Sequence, residues 1–479
     1  MTRQADEAVA AQGLRQGLRQ RHLTMIGIGG VIGAGLFVGS GVVINSIGPA
    51  SVLTYVLAGT LIVLVIRMLG EMASTQPSTG SFADYARTAL GSWAGFSVGW
   101  LYWYFWVIVV GFEAVAGAKI LSRWLDAPLW LLSLGLLAAL TGANLISVRS
   151  YGEFEYWFAS IKVVTIVVFL VAGTCFVLGV WPGRNADLSN LTAHGGFFPH
   201  GVGSIFSGIV VVIFSLVGAE VVTIAAAESE EPTRAVIKAT SSVVTRVLVF
   251  FVGSVLLVVT MLPWNSSDVG ASPYVSALDH IGLPAAAEVM NLVVLTSVLS
   301  CLNSGLYTAS RMVLVLAGNG EAPRALLKVG RRGVPVRAVL ASTAVGYGCV
   351  VAASLWPDTI FMFLLNSSGA VVLFVYLLIT ASQLRLRQRI EAESPERLRV
   401  RMWLFPWLTY ATGLAIVAIL VSMYFVADSR SQLLLSLVAW GATLLAYLGC
   451  RAADRARAAR TGRSVSQSHV KQEDASTPG

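Results

Sequence analysis

The sequence predicts an all-α polytopic membrane protein with twelve transmembrane helices. Three observations carry that prediction. Only 12% of the 479 residues are charged and 56% are hydrophobic, against ~25% charged in an ordinary globular chain. Long stretches contain no Asp, Glu, Lys or Arg at all: His22–Ile66, Thr88–Phe112, Ala127–Val148, Val163–Gly183, Leu188–Ala219, Val289–Ser310 and Met402–Ala427. A bilayer crossing takes ~20 mainly apolar residues, and each of these stretches is that long or longer. The basic residues are also sorted by side. Counted over alternate connections, 28 of the 33 Lys and Arg fall on one side; Lys119, Arg123, Arg184 and Arg430 fall on the other, and Lys162 lies inside a span. The positive-inside rule then puts both termini in the cytoplasm.

Taken in order, the spans are expected near 23–43, 49–73, 92–118, 127–147, 156–180, 203–227, 240–262, 284–316, 337–356, 359–380, 404–426 and 431–450. Residues 1–22 form a polar cytoplasmic segment without the charged-then-apolar pattern of a cleaved signal. Residues 451–479 are polar and rich in Ser and Arg, with no apolar face to pack, and are expected to be a disordered cytoplasmic tail. The net charge of +8 follows membrane topology and calls for no nucleic-acid partner. Cys175, Cys301, Cys349 and Cys450 lie in apolar segments without paired spacing, which suggests neither disulfides nor a metal site. The five histidines fall in loops or at span edges, and no nucleophile–base arrangement points to an enzyme.

Two spans carry the seeds of a break. The first reads TMIGIGGVIGAGLFVGSG, and each glycine costs a helix ~1 kcal/mol relative to alanine. Close packing through small-xxx-small spacing is the alternative use of those glycines; unwinding is expected near Val31–Gly35. A dinucleotide-binding reading fails because no strand–helix unit fits inside an apolar span. The sixth span repeats the pattern, with Leu216-Val217-Gly218-Ala219-Glu220 echoing Val31-Ile32-Gly33-Ala34-Gly35. Five spans separate the copies, so the second is inverted in the bilayer. Paired glycine-interrupted segments in inverted halves point to a transport site at the midplane.

With these residues in view, the chain resembles the amino-acid permeases of the amino acid–polyamine–organocation superfamily. The likeness rests on GVIGAGLFVGSG (30–41), GEMA (70–73), TGSFADYA (79–86), GWLYWYFWV (99–107), YGEFEYWFASIK (151–162), FSLVGAEVVTIAAAESEEP (214–232), SCLNSGLYTASRM (300–312) and RMWLFPWLT (401–409), and covers about residues 12–450. Within the superfamily it looks most like bacterial γ-aminobutyrate (GABA) permeases. One departure is Gly35, which fits the broad pattern where some GABA carriers have a small hydroxyl residue. The resemblance implies two inverted five-helix repeats (23–180 and 203–380), two additional helices (404–450), and proton-coupled import of a small amino acid by alternating access. The proton is the coupling ion, and no other cofactor is implied.

The resemblance also nominates residues. Freed amides near Gly33, Ala34 and Gly35 can take a carboxylate at the positive end of a half-helix. Carbonyls around Val31, Phe214 and Val217, with Gly218 at the second break, can take an ammonium, and Phe214 resembles the aromatic gate over the ligand. Lys162, on span five, resembles the lysine that stands in proton-coupled members where related carriers hold a sodium ion. A buried ammonium there could bond carbonyls at the first break and hydroxyls such as Ser300 or Ser304; a lysine snorkelling to headgroups is the alternative. Glu220 is a second candidate for proton coupling, and Glu113 either a vestibule charge for a substrate amine or a packing carboxylate. Glu71, Glu153 and Glu155 read as boundary residues paired with Arg67 or Arg149, and the run Glu228, Glu230, Glu231 as a helix exit. The aromatic run Trp100–Trp106 reads mainly as packing and interfacial anchoring. Within the family an aromatic amino acid, proline or a basic amino acid are the alternative substrates; a facilitative channel and a transport-linked sensor are the alternative classes.

Overall fold

The computed structural model describes residues 18, 20–29, 31–181, 186–228, 231–271, 273–282, 285–330, 332–356 and 370–474. Positions 359–369 of the tenth expected span, and most of the expected N-terminal segment, lie outside the described residues. Among the described residues, eleven helices are long and apolar enough to cross a bilayer. The first span, in pieces too short to count among them, makes twelve.

The first span runs as Gln20–Gly29, Ala34–Phe37 and Gly39–Ile47. Spans two to five are Ser51–Thr75, Ser92–Leu121, Leu129–Ile146 and Val148–Val177. Span six is two half-helices, Ile209–Leu216 and Val221–Ala226. Span seven follows from Pro232 to Met261 with a π-helical turn at Val247–Gly253. Spans eight to eleven are Ala286–Gly318, Val336–Leu355, Val371–Glu393 and Trp407–Phe425, and the last helix is Ala427–Asp474. A short helix, Phe82–Leu90, lies between spans two and three.

Local chemistry sets the starts. Pro128, Pro335 and Pro406 sit at the N-caps of spans four, nine and eleven, and Pro232 is in the first turn of span seven. There a missing N–H costs nothing, because the first amides of a helix have no intrahelical acceptor. Span five starts at Ser147, whose hydroxyl accepts from the Ser150 amide at 3.0 Å.

Burial sorts the spans into a centre and a rim. Buried residues make up 89% of the apolar window of span six and 78% of span eight, against 28% in span eleven and 11% in span twelve. Spans that face lipid can stay apolar outward, so their low burial agrees with their composition. Span eight packs along span three through small residues: a side-chain carbon on Gly305 would come within 3.0 Å of the Trp106 ring.

The last helix runs past the expected end of span twelve at 450 and continues to Asp474.

Candidate functional site

The helical bonding of span one stops at Gly29 and resumes at Ala34, leaving Val31, Ile32 and Gly33 non-helical. The break is narrower than Val31–Gly35, since Ala34 and Gly35 already belong to the next half-helix. Their amides are in its first turn, where intrahelical acceptors are lacking. In span six the first half-helix ends at Leu216, Val217 is extended (φ −64°, ψ 144°) and Gly218 takes φ +116°. That torsion is open to glycine and costly for any residue with a Cβ.

The two breaks meet. Ser215 Oγ donates to the Gly35 carbonyl at 2.9 Å, and a Cβ on Gly35 would stand 2.7 Å from the Ser215 Cα. Between them lies a cavity of about 20 Å³, roughly one water's worth of room. Val31, Gly33, Gly35, Glu113, Phe214 and Val217 line it. Ala34 and Gly218 are the chain neighbours that turn the backbone around it without lining it. Phe214 meets Phe105 and Phe112 edge-on at this lining, centroids 6.0 and 6.1 Å away.

Phe105, Trp106, Val109, Ser215 and Cys301 complete the lining, and sequence reasoning did not pick them. Trp106 was hidden in an aromatic run that covers every face of span three. Its burial and the packing of Gly305 against its ring tell it from Trp100 and Trp103. Glu113 is buried, its Oε1 within reach of Gly33: a Cβ there would lie 3.4 Å from it and 3.4 Å from Cys301 Sγ.

Lys162 is fully buried, which removes the snorkelling alternative. Its Nζ donates to the Ile32 carbonyl at 2.6 Å and to Ser300 Oγ at 2.8 Å. A non-helical carbonyl at the first break thus receives the ammonium. Ser300 also donates to Glu155 Oε1 at 2.5 Å. Glu155, expected to pair with Arg67 or Arg149, is instead buried beside Lys162's partner. Glu220 sits apart from the cavity. Its Oε1 accepts from Tyr102 at 3.1 Å, and its Oε2 from the Gly218 amide at 3.1 Å and Tyr376 at 3.5 Å.

Other acids also find partners that spacing did not name. Glu71 accepts from Arg387 and the Met402 amide, both at 2.6 Å, rather than from Arg67. Glu153 pairs with Arg21 at 2.5 Å rather than with Arg149. Glu228 stands at the exit of the span-six half-helix, as expected, but is buried, 2.8 Å from Arg311 Nε, and also accepts from Tyr307 at 2.8 Å. These partners lie up to 331 residues apart in the chain, so only the folded bundle could reveal them. Among the described residues no group of His, Cys, Asp and Glu is arranged to hold a metal ion.

Comparison with known proteins follows the same lines. The amino acid permease family profile matches residues 22–453. The γ-aminobutyric acid permease of Bacillus subtilis is 56% identical over 438 residues, covering 91% of this chain and 93% of the relative. The γ-aminobutyric acid permease of Escherichia coli is 47% identical over 85% of this chain and 88% of its own length. An aromatic amino acid transport protein of Corynebacterium glutamicum is 40% identical over 91% and 96%. Broken first and sixth helices lining one cavity and a profile match over nearly the whole membrane core agree: the chain belongs to the amino acid permease family.

Proposed function

We propose that this permease imports γ-aminobutyrate, or a closely related small amino acid, together with protons by alternating access across the bacterial cytoplasmic membrane. Both termini are then cytoplasmic, and the inverted repeats 23–180 and 203–380 are the parts that rearrange, beside the helices of 404–450. The observation that carries the reading is the cavity where the two breaks meet, walled by Val31, Gly33, Gly35 and Val217 and capped by Phe214. A zwitterion taken from water needs an equally polar cage, since an uncompensated charge within the bilayer costs several kcal/mol. First-turn amides at Ala34 and Gly35 offer the carboxylate donors, and non-helical carbonyls offer the ammonium acceptors. Glu113, on the same wall, is a counter-charge for an amine several methylenes away from its carboxylate. Similarity to two γ-aminobutyric acid permeases supports the substrate.

Lys162 is the proposed proton carrier. Its ammonium bonds the first break through Ile32, so its loss or gain of a proton acts directly on the substrate cage. Glu220, which bonds the Gly218 amide, is placed to act on the second break in the same way.

The test is uptake into proteoliposomes across a panel of radiolabelled amino acids, with a pH gradient imposed and sodium absent. GABA is expected to accumulate and to be the strongest competitor. Lys162→Ala is expected to lose gradient-driven accumulation while retaining exchange. Uptake of no amino acid by monodisperse protein would overturn the transport reading. Normal pH-dependent accumulation by Lys162→Ala would place the proton elsewhere.

A further inference from the structure

Glu155 stands seven residues before Lys162 on span five, on the same helix face and about 10 Å along the axis. The two side chains converge on one hydroxyl. Lys162 Nζ donates to Ser300 Oγ at 2.8 Å, and the same oxygen donates to Glu155 Oε1 at 2.5 Å. All three residues are fully buried. A serine that accepts from an ammonium and donates to a carboxylate is a one-step proton wire.

The polar file continues past Glu155. Its second oxygen and the buried Asn303 amide nitrogen lie near one another without a hydrogen bond of regular geometry among the described residues. Asn303 and Ser304 are its neighbours on span eight. Next along, Tyr151 on span five shares a hydrogen bond with Ser304 at 3.3 Å. Its ring stacks on Tyr307, with centroids 4.1 Å apart and planes 2° from parallel. Tyr307 donates to Glu228, which holds Arg311. Residues 151, 155 and 162 face 300, 304, 307 and 311 across one buried seam, which leads from the first break toward the end bearing Arg149 and the basic stretch Arg311–Arg337. The other titratable groups close to Lys162 are Glu113 on span three and Cys301 on span eight, both of which line the cavity between the breaks.

We propose that Glu155 is the proton acceptor that takes Lys162's proton and releases it toward the cytoplasm. The assignment rests on the reading of Lys162 as the proton carrier. In the transfer an Nζ–H bond of Lys162 breaks as a new O–H bond forms on Ser300, while the original Ser300 O–H breaks and its proton bonds Glu155 Oε1. Charge and atoms balance: ammonium and carboxylate become amine and carboxylic acid, and no other reactant is needed. The neutral amine then lets go of the Ile32 carbonyl or holds it as a weaker donor, which couples proton release to the first break.

A fixed counter-charge for Lys162 would use the same contacts, so the test must separate relay from support. Purified variants in proteoliposomes are assayed for exchange of radiolabelled against unlabelled GABA, and for proton influx with a trapped pH-sensitive dye. Glu155→Gln is expected to lose gradient-driven accumulation about 100-fold more than it loses exchange, as removal of a proton-transfer group does. Ser300→Ala, which removes the bridge without changing charge, is expected to slow coupled proton influx, and Ser300→Thr to restore it. If Glu155→Gln does not fold, this serine pair carries the test. Glu155→Gln with wild-type proton influx per GABA would overturn the relay, as would equal loss of exchange and accumulation in the folded variant, or Ser300→Ala behaving as wild type. Lys162→Ala that still accumulates GABA would instead strike the carrier reading beneath it. Wild type that exchanges no GABA would remove both.

Discussion

At the scale of single residues, the proposed substrate cage is decided by what is absent from it. A Cβ on Gly33 would make ordinary contacts, 3.4 Å from Cys301 and from Glu113, so alanine fits there. The three further carbons of a leucine would project into the space between the two breaks, where the substrate is proposed to bind. Gly33→Ala is therefore expected to keep substrate binding and Gly33→Leu to abolish it with normal membrane insertion, both measured by scintillation proximity with labelled GABA. Retained affinity in a folded Gly33→Leu variant would move the site. Gly35 is tighter still, because the atom its Cβ would meet is the Ser215 main chain, 2.7 Å away. The Ser215 hydroxyl on the facing half-helix donates to the Gly35 carbonyl, so the two breaks touch at this glycine. The sequence made the glycine-rich segments legible. It could not separate Glu155 from Glu153, two residues away, because one faces Ser300 and the other Arg21.

At the scale of elements, each broken span is held by charged groups from elsewhere. Arg246 of span seven donates to the Gly27 carbonyl near the end of the first half of span one, where a helix C-terminus favours a cation. Glu228, just beyond the second half of span six, is pinned to span eight by Arg311, whose guanidinium also lies 4.1 Å from the Tyr307 ring centroid. Both partners are buried, so removing one strands the other. Glu228→Ala is expected to cost about 3 kcal/mol of stability. The double variant Glu228→Gln, Arg311→Gln is expected to recover part of that loss. Thermal unfolding of the purified variants checks both; additive losses in the cycle would mean the pair is not coupled.

At the scale of the molecule, the proposed topology of twelve crossings would put the two ends of the chain on one side, and the distribution of basic residues predicts that side to be the cytoplasm. A variant with Ser466→Cys as its sole cysteine is expected to react with a membrane-impermeant maleimide in inside-out vesicles and not in intact cells. Labelling in intact cells would reverse the orientation. The rim is where the sequence is most transparent, because spans eleven and twelve meet mainly lipid and their composition answers to the bilayer alone. The centre is less so. Glu71 joins span two to Arg387 and Gln383 of span ten and to the Met402 amide, a junction that no local pattern announces.

The sequence by itself determined the membrane class, the number of spans, the positions of both breaks and the lysine beside them. Each of these follows from local rules: a span's length and polarity answer to bilayer thickness, and a helix rich in glycine loses its hold on its own backbone. Only the tertiary structure decided which polar groups meet. It set Lys162 on the Ile32 carbonyl, Ser300 between Lys162 and Glu155, Trp106 on the cavity wall, and Glu228 against Arg311. A buried polar side chain must find a partner wherever the fold supplies one, and in a bundle of long helices that partner is set by packing across spans, not by distance along the chain.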